Sequence, residues 1–94
     1  MTFIPEIADL IPDYIIRRGQ DLRNLQAYVA VSDFDKMRSI SHQTKGHAAS
    51  YGFPELEAIA TELEAAAKVE NLEGCRKSVE LWAHWLNSQP QPAT

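Results

Sequence analysis

The apolar positions of this chain recur at intervals of three and four in four separate stretches, the period of helices with one buried face. In the first, Ile15, Leu22, Leu25, Tyr28 and Val29 form a stripe that ends near Val31. Proline suits a first helical turn, whose N–H groups lack internal partners, so the main helix is expected to begin at Pro12. Residues 1–11 are then an N-terminal lead-in with room for a short extra helix near Pro5–Leu10. The second stretch, Asp33 to Tyr51, places Met37, Ile40, Thr44, Ala48 and Tyr51 on one side. Ser32 reads as its N-cap with Asp35 three residues on, close to a capping box, and Gly52 as its stop. Pro54 opens a third helix with Leu56, Ile59, Ala60, Leu63, Ala66 and Ala67 as its apolar series. Asn71 caps a fourth that runs to about Asn87 and buries Leu72, Cys75, Val79, Trp82 and Leu86.

No two-residue turn of the Asn-Gly type separates alternating apolar runs, so hairpins are not predicted. Four helices with three short connections predict an all-α fold, an antiparallel up-down-up-down four-helix bundle. Its 94 residues are expected to be one domain, with residues 88–94 a disordered tail because Pro90 and Pro92 cannot continue a helix.

Charge and composition then remove whole classes of function. Nine Lys/Arg against thirteen Asp/Glu give a net charge of −4, without the basic face that phosphate backbones require, so no nucleic acid is expected and the partner is a protein. No apolar run approaches the roughly 18 residues of a membrane span, and no signal peptide is evident. Cys75 is the only cysteine, which excludes an internal disulfide. One cysteine and three histidines at no ligand spacing exclude a four-ligand zinc site, so no metal or cofactor is expected on this chain. A chain this short buries only about 60–65% of its surface, and any reactive group must lie outside its small core.

The second helix carries such a group. At about 100° per residue, His42 falls opposite the core stripe, with Arg38, Ser39, Lys45, Gly46 and Ala49 near it in projection. Gly46 costs about 0.5–1 kcal/mol against alanine in mid-helix, yet it leaves one flank of the imidazole uncovered and lets another protein come close. Lys45, three residues on, can reach the space beside the ring and attract an anion held there. A bare imidazole, a cation and a missing side chain suit transfer of an anionic phosphoryl group, which needs room on the outer side of the nitrogen. Glu64 adds a geometric point. His42 stands ten residues before Gly52 and Glu64 ten after Pro54, so antiparallel packing brings the two level, each about 15 Å from the turn. Its carboxylate could accept the His42 Nδ1–H bond and fix the tautomer with a free Nε2. His47 reads as a half-buried packing residue, His84 as structural, Trp85 as either a snorkelling surface aromatic or part of a contact patch, and Cys75 as a small buried hydrophobe. Glu55, Glu57 and Glu62 read as a water-facing surface.

His42-Gln43-Thr44-Lys45-Gly46 followed by Gly52 reads H-x-x-K-G-x(5)-G. With Ser50-Tyr51-Gly52-Phe53-Pro54-Glu55-Leu56 and then Leu63-Glu64, it resembles the histidine-containing phosphotransfer (HPt) domain of two-component phosphorelays. The resemblance is close over the second and third helices, while the first and fourth agree in length and pattern. It implies that His42 takes a phosphoryl group on Nε2 from a receiver-domain aspartate and hands it to another receiver. It also implies that the receiver supplies magnesium and most of the catalytic apparatus, leaving this chain a phosphocarrier without kinase activity of its own. Lys45, Gly46 and Glu64 are then the site's other members, and Arg38, Ser39 and Ala49 its docking residues. The implied partners are response-regulator receiver domains and a hybrid histidine kinase, met by a monomer in the cytoplasm, a compartment that agrees with a reduced lone thiol. Thr44 departs from the family pattern, which has an apolar residue at that position. Two alternatives stand beside this reading: a helical interaction module without chemistry, and the phosphoryl-accepting domain of a chemotaxis-type kinase, which would need an ATP-binding domain elsewhere. Related domains of that second kind carry a carboxylate in the role that Glu64 would fill.

Overall fold

The computed structural model describes residues 5–90, with side chains from Leu10 onward. Four helices follow in order: α1 (Pro5–Ala30), α2 (Phe34–Ala48), α3 (Pro54–Lys68) and α4 (Leu72–Asn87), with no strand among the described residues. α2 packs on α3, α3 on α4, α4 on α1 and α1 on α2, while the backbones of the diagonal pairs stay apart, which is the up-down-up-down bundle. Leu25, Met37, Leu56, Leu63 and Trp82 are fully enclosed at its centre. The Trp82 indole N–H reaches the Arg18 carbonyl at 3.2 Å, so a large ring is buried without an orphaned donor and α4 is tied to α1.

The three connections share one device. In each, a residue with positive φ ends a helix and the next residue begins the following one: Ser32 (55°) before Asp33, Gly52 (89°) before Phe53, Glu70 (55°) before Asn71. The two backbone bonds of a Schellman cap recur each time, as in Asp33 N–H to Tyr28 O (2.9 Å) and Ser32 N–H to Val29 O (3.2 Å). At the second turn Phe53 N–H reaches Ala48 O at 2.9 Å and Gly52 N–H reaches Ala49 O at 3.0 Å. At the third, Asn71 N–H reaches Ala66 O at 2.9 Å and Glu70 N–H reaches Ala67 O at 3.1 Å. Such tight reversals set neighbouring helices antiparallel and fix their register.

Several expectations from the sequence need correction. Ser32 is not the N-cap of α2; it is the left-handed residue that closes α1, and the Asp33 carboxylate caps α2 by accepting from Lys36 N–H at 3.2 Å. Regular α2 ends at Ala48 rather than Tyr51, although a tightened turn continues to Gly52, which stops the chain as expected. α1 does not begin at Pro12 but at Pro5, so residues 5–11 belong to the helix and are not a separate lead-in. Pro12 lies inside it on the exposed face, where the carbonyl left without its N–H partner can turn to water. Trp85 is buried, edge-on to Phe53 at 5.2 Å, instead of lying on the surface, and His84 is exposed instead of structural. Of the expected tail, Ser88 still caps α4, its hydroxyl donating to Trp85 O at 2.7 Å, while residues 91–94 lie outside the described residues. No described helix is long and apolar enough to cross a membrane.

Candidate functional site

Everything that sets the site in place follows from the α2–α3 turn. Phe53 N–H bonded to Ala48 O fixes how α3 leaves α2, and the two helices then run side by side for four turns. Met37, Ser41, Thr44 and Ala48 face the core, so His42, one residue on from Ser41, is turned outward. Ser41 is fully buried without disturbing this face because its hydroxyl donates back to Met37 O (2.8 Å) and Arg38 O (3.0 Å).

His42, Lys45 and Glu64 meet at one level of the two helices. The His42 side chain is 69% exposed, that of Lys45 36% and that of Glu64 only 9%. Glu64 Oε2 lies 2.8 Å from His42 Nδ1, and Oε1 lies 2.6 Å from the Lys45 ammonium. Each carboxylate oxygen thus has its own partner, which lets an almost enclosed charge persist. The Lys45 ammonium first, and the His42 ring second, hold the Glu64 carboxyl below its ordinary range, against the opposite pull of burial. An ionised Glu64 can only accept, so Nδ1 carries a proton, and in the neutral ring that leaves the lone pair on Nε2. The helical projection puts Lys45 beside the ring as a free cation; its ammonium instead rests on Glu64.

Gly46 is exposed one turn beyond His42, and a Cβ built on it would meet nothing within 4 Å. No packing reason for that glycine is therefore found among the described residues. Arg38 and Ser39 are exposed and line a groove with His42 and Glu64, whose other walls are Asp35 and Lys68. Ala49 is exposed at the C-cap of α2, two turns from His42 and outside this groove. No motif in the sequence marks out Lys68, although its place four residues after Glu64 puts it on the same face of α3.

A second histidine lies near without joining the group. His47 is half-buried against α1, where the Tyr14 hydroxyl lies 2.9 Å from its Nδ1 and Tyr14 stacks on Tyr51 at 4.2 Å. Burial, and then the Arg18 guanidinium that covers the Tyr14 ring at 4.5 Å, push the His47 ring below its ordinary pKa. Burial likewise pushes the Cys75 thiol up. Among the described residues no group of three or more His, Cys, Asp or Glu is placed to hold a metal ion.

A family model described as "Hpt domain" matches residues 5–89. No curated protein and no solved structure matches the chain.

Proposed function

Because the chain belongs to the Hpt domain family, we propose that His42 is the residue on which it carries phosphate. The family's role is phosphotransfer in two-component systems, with receiver domains and kinases as its classes of partner. What supports His42 above the other two histidines is its exposure together with a filled Nδ1. The exposed ring has its Nδ1 at 2.8 Å from Glu64, so Nε2 is the nitrogen that meets a partner.

In this reading the Nε2 lone pair attacks the phosphorus of a receiver's aspartyl phosphate. The N–P bond forms as the P–O bond to the aspartate breaks, and the carboxylate leaves with the electron pair. The ring now bears a positive charge, shared with Nδ1–H, and that proton already points at the Glu64 carboxylate. Reversal toward a second receiver breaks the N–P bond and returns a neutral imidazole with Nδ1 still protonated. No proton need leave or enter His42 over a cycle. Glu64 is thus a positioning residue, one that fixes the tautomer and lies opposite the developing charge. Magnesium, which polarises phosphoryl oxygens when bound, belongs in this proposal to the receiver. Gly46 and the exposed Arg38, Ser39 and Ala49 give the receiver its approach.

The test is incubation with a receiver domain carrying labelled aspartyl phosphate. An acid-labile, alkali-stable adduct that is absent from His42→Gln supports the proposal. Label retained in His42→Gln, or binding without any transfer across a panel of receivers, refutes it and favours a module that only docks.

A further inference from the structure

Most cations of the described residues already have a carboxylate. Arg17 pairs with Asp13, Arg18 with Asp21, Lys36 with Asp33, Lys45 with Glu64 and Arg76 with Glu73. Arg23, Arg38, Lys68 and Lys77 have no such partner among the described residues. Two of these four, Arg38 and Lys68, stand in the one groove that contains His42. They come from opposite walls. Arg38 lies one turn before His42 on α2, and Lys68 one turn after Glu64 on α3, each about 6 Å along its helix from the level of the imidazole.

The remaining charges near the ring nearly cancel. Lys45 is held 2.6 Å from Glu64, and drawing it away would leave an almost enclosed carboxylate without its strongest partner. Asp35, the other acid of the groove, is two turns from His42, about 10 Å along the helix and so farther from the level of the imidazole than either Arg38 or Lys68. An anion placed on Nε2 therefore meets a net positive field from the Arg38 and Lys68 side. We infer that Arg38 and Lys68, rather than Lys45, are the cations that hold the phosphoryl oxygens once phosphate is on His42. This rests on the phosphocarrier reading above and adds to it a residue, Lys68, and a division of labour: Lys45 neutralises Glu64, and the pair across the groove stabilises the cargo. A lysine in the last turn of a helix also complements the helix dipole, so the test must read the phosphate itself.

Phosphoramidate serves as the donor, in the full chain with His84→Gln to remove the other exposed histidine. Nε2 attacks its phosphorus, the P–N bond breaks, and ammonia leaves. The phosphorus resonance of the adduct is then followed against pH at low ionic strength. A solvent-exposed cation lining the same groove, worth what a surface ion pair is worth, favours the more anionic form by about half a pH unit. Arg38→Gln and Lys68→Gln should therefore each raise the titration midpoint by about that much, with the shift shrinking in added salt. Lys77→Gln makes the same change in net charge on α4 and should leave the midpoint in place. If the two groove variants titrate like Lys77→Gln, the inference is wrong. It is also wrong if they slow transfer from a receiver while the midpoint stays put, since the pair then docks the partner and does not hold phosphate. An adduct that forms equally in His42→Gln overturns the parent reading instead, and this one with it.

Discussion

Replacing Gly46 by alanine separates stability from function. The site is in the last turns of α2, its backbone is ordinary helix, and the added Cβ meets nothing within 4 Å. Neither strain nor new packing enters, so the effect on folding is the helix propensity difference alone, about 0.5–1 kcal/mol in favour of alanine. For a domain of this size 1 kcal/mol moves the melting temperature by about 4–8 °C, so Gly46→Ala should melt roughly 2–8 °C higher. The same methyl group stands on the exposed flank of His42, where a partner must come close. Overpacking of a close contact costs about 1–3 kcal/mol, so transfer from a phosphorylated receiver should slow by roughly fivefold to a hundredfold. The assays are a thermal melt by circular dichroism and the initial rate of phosphoryl transfer from one receiver. A variant that is more stable and transfers as fast as the parent would refute the clearance argument. A variant that is less stable would show that the glycine has a structural duty inside the chain.

The helix turns give a matched pair: Ser32→Gly and Glu70→Gly should each stabilise the fold by up to about 1 kcal/mol in urea unfolding, because both residues hold positive φ, whereas Gly52→Ala should destabilise it by about 1–2 kcal/mol. Equal midpoints for all three would contradict the shared turn geometry. Glu64 is held below its ordinary pKa by Lys45 and His42, so its pairing stabilises the folded state above about pH 4.5, and that stability is lost as pH falls through the lowered folded value. The urea-midpoint gap between the parent and Glu64→Gln should therefore narrow from pH 7 to pH 3, and a constant gap would count against the ion pair. His47 is also lowered, so the folded state prefers its neutral ring; stability from this source is present above about pH 6.5 and declines as pH falls below it. His47→Gln should be less sensitive to acid between pH 7 and pH 5, and Tyr14→Phe should lose about 0.5–1.5 kcal/mol at pH 7 by unfolding.

How far the residues alone foretell this structure depends on what each signal encodes. Pro54 with Leu56, Ala60, Leu63 and Ala67 is a strong periodic pattern behind a proline start, and α3 follows it. Asn71 caps α4 through Gly74 N–H as its residue type implies. Ser32 misleads because a polar residue before a helix looks like a cap, whereas backbone bonds to Val29 and Tyr28 decide that it closes the preceding helix. Pro12 misleads in the same way: a proline tolerated on a solvent face inside a long helix cannot be told from one that starts it. Tyr14 lies within the helix even when it is taken to begin at Pro12, but its burial comes from stacking on Tyr51 and Phe53 across the bundle, which the periodicity of one helix does not carry. At the site, the spacing of His42 and Glu64 about Gly52 and Pro54 is enough to bring the two level. That Lys45 binds Glu64 rather than standing free, and that Lys68 shares the groove with Arg38, depends on side-chain directions between helices, which one helix's periodicity does not carry.

The central claim is that Glu64 occupies one nitrogen of His42 and leaves the other to carry phosphate. Nitrogen NMR on chain labelled at histidine tests it most directly, since coupling to phosphorus identifies the bonded nitrogen after transfer from a receiver. The account predicts a proton on Nδ1 before transfer and phosphorus on Nε2 after it, with the Nδ1 signal perturbed in Glu64→Gln. Phosphorus on Nδ1, or a resting ring with its proton on Nε2, would contradict it.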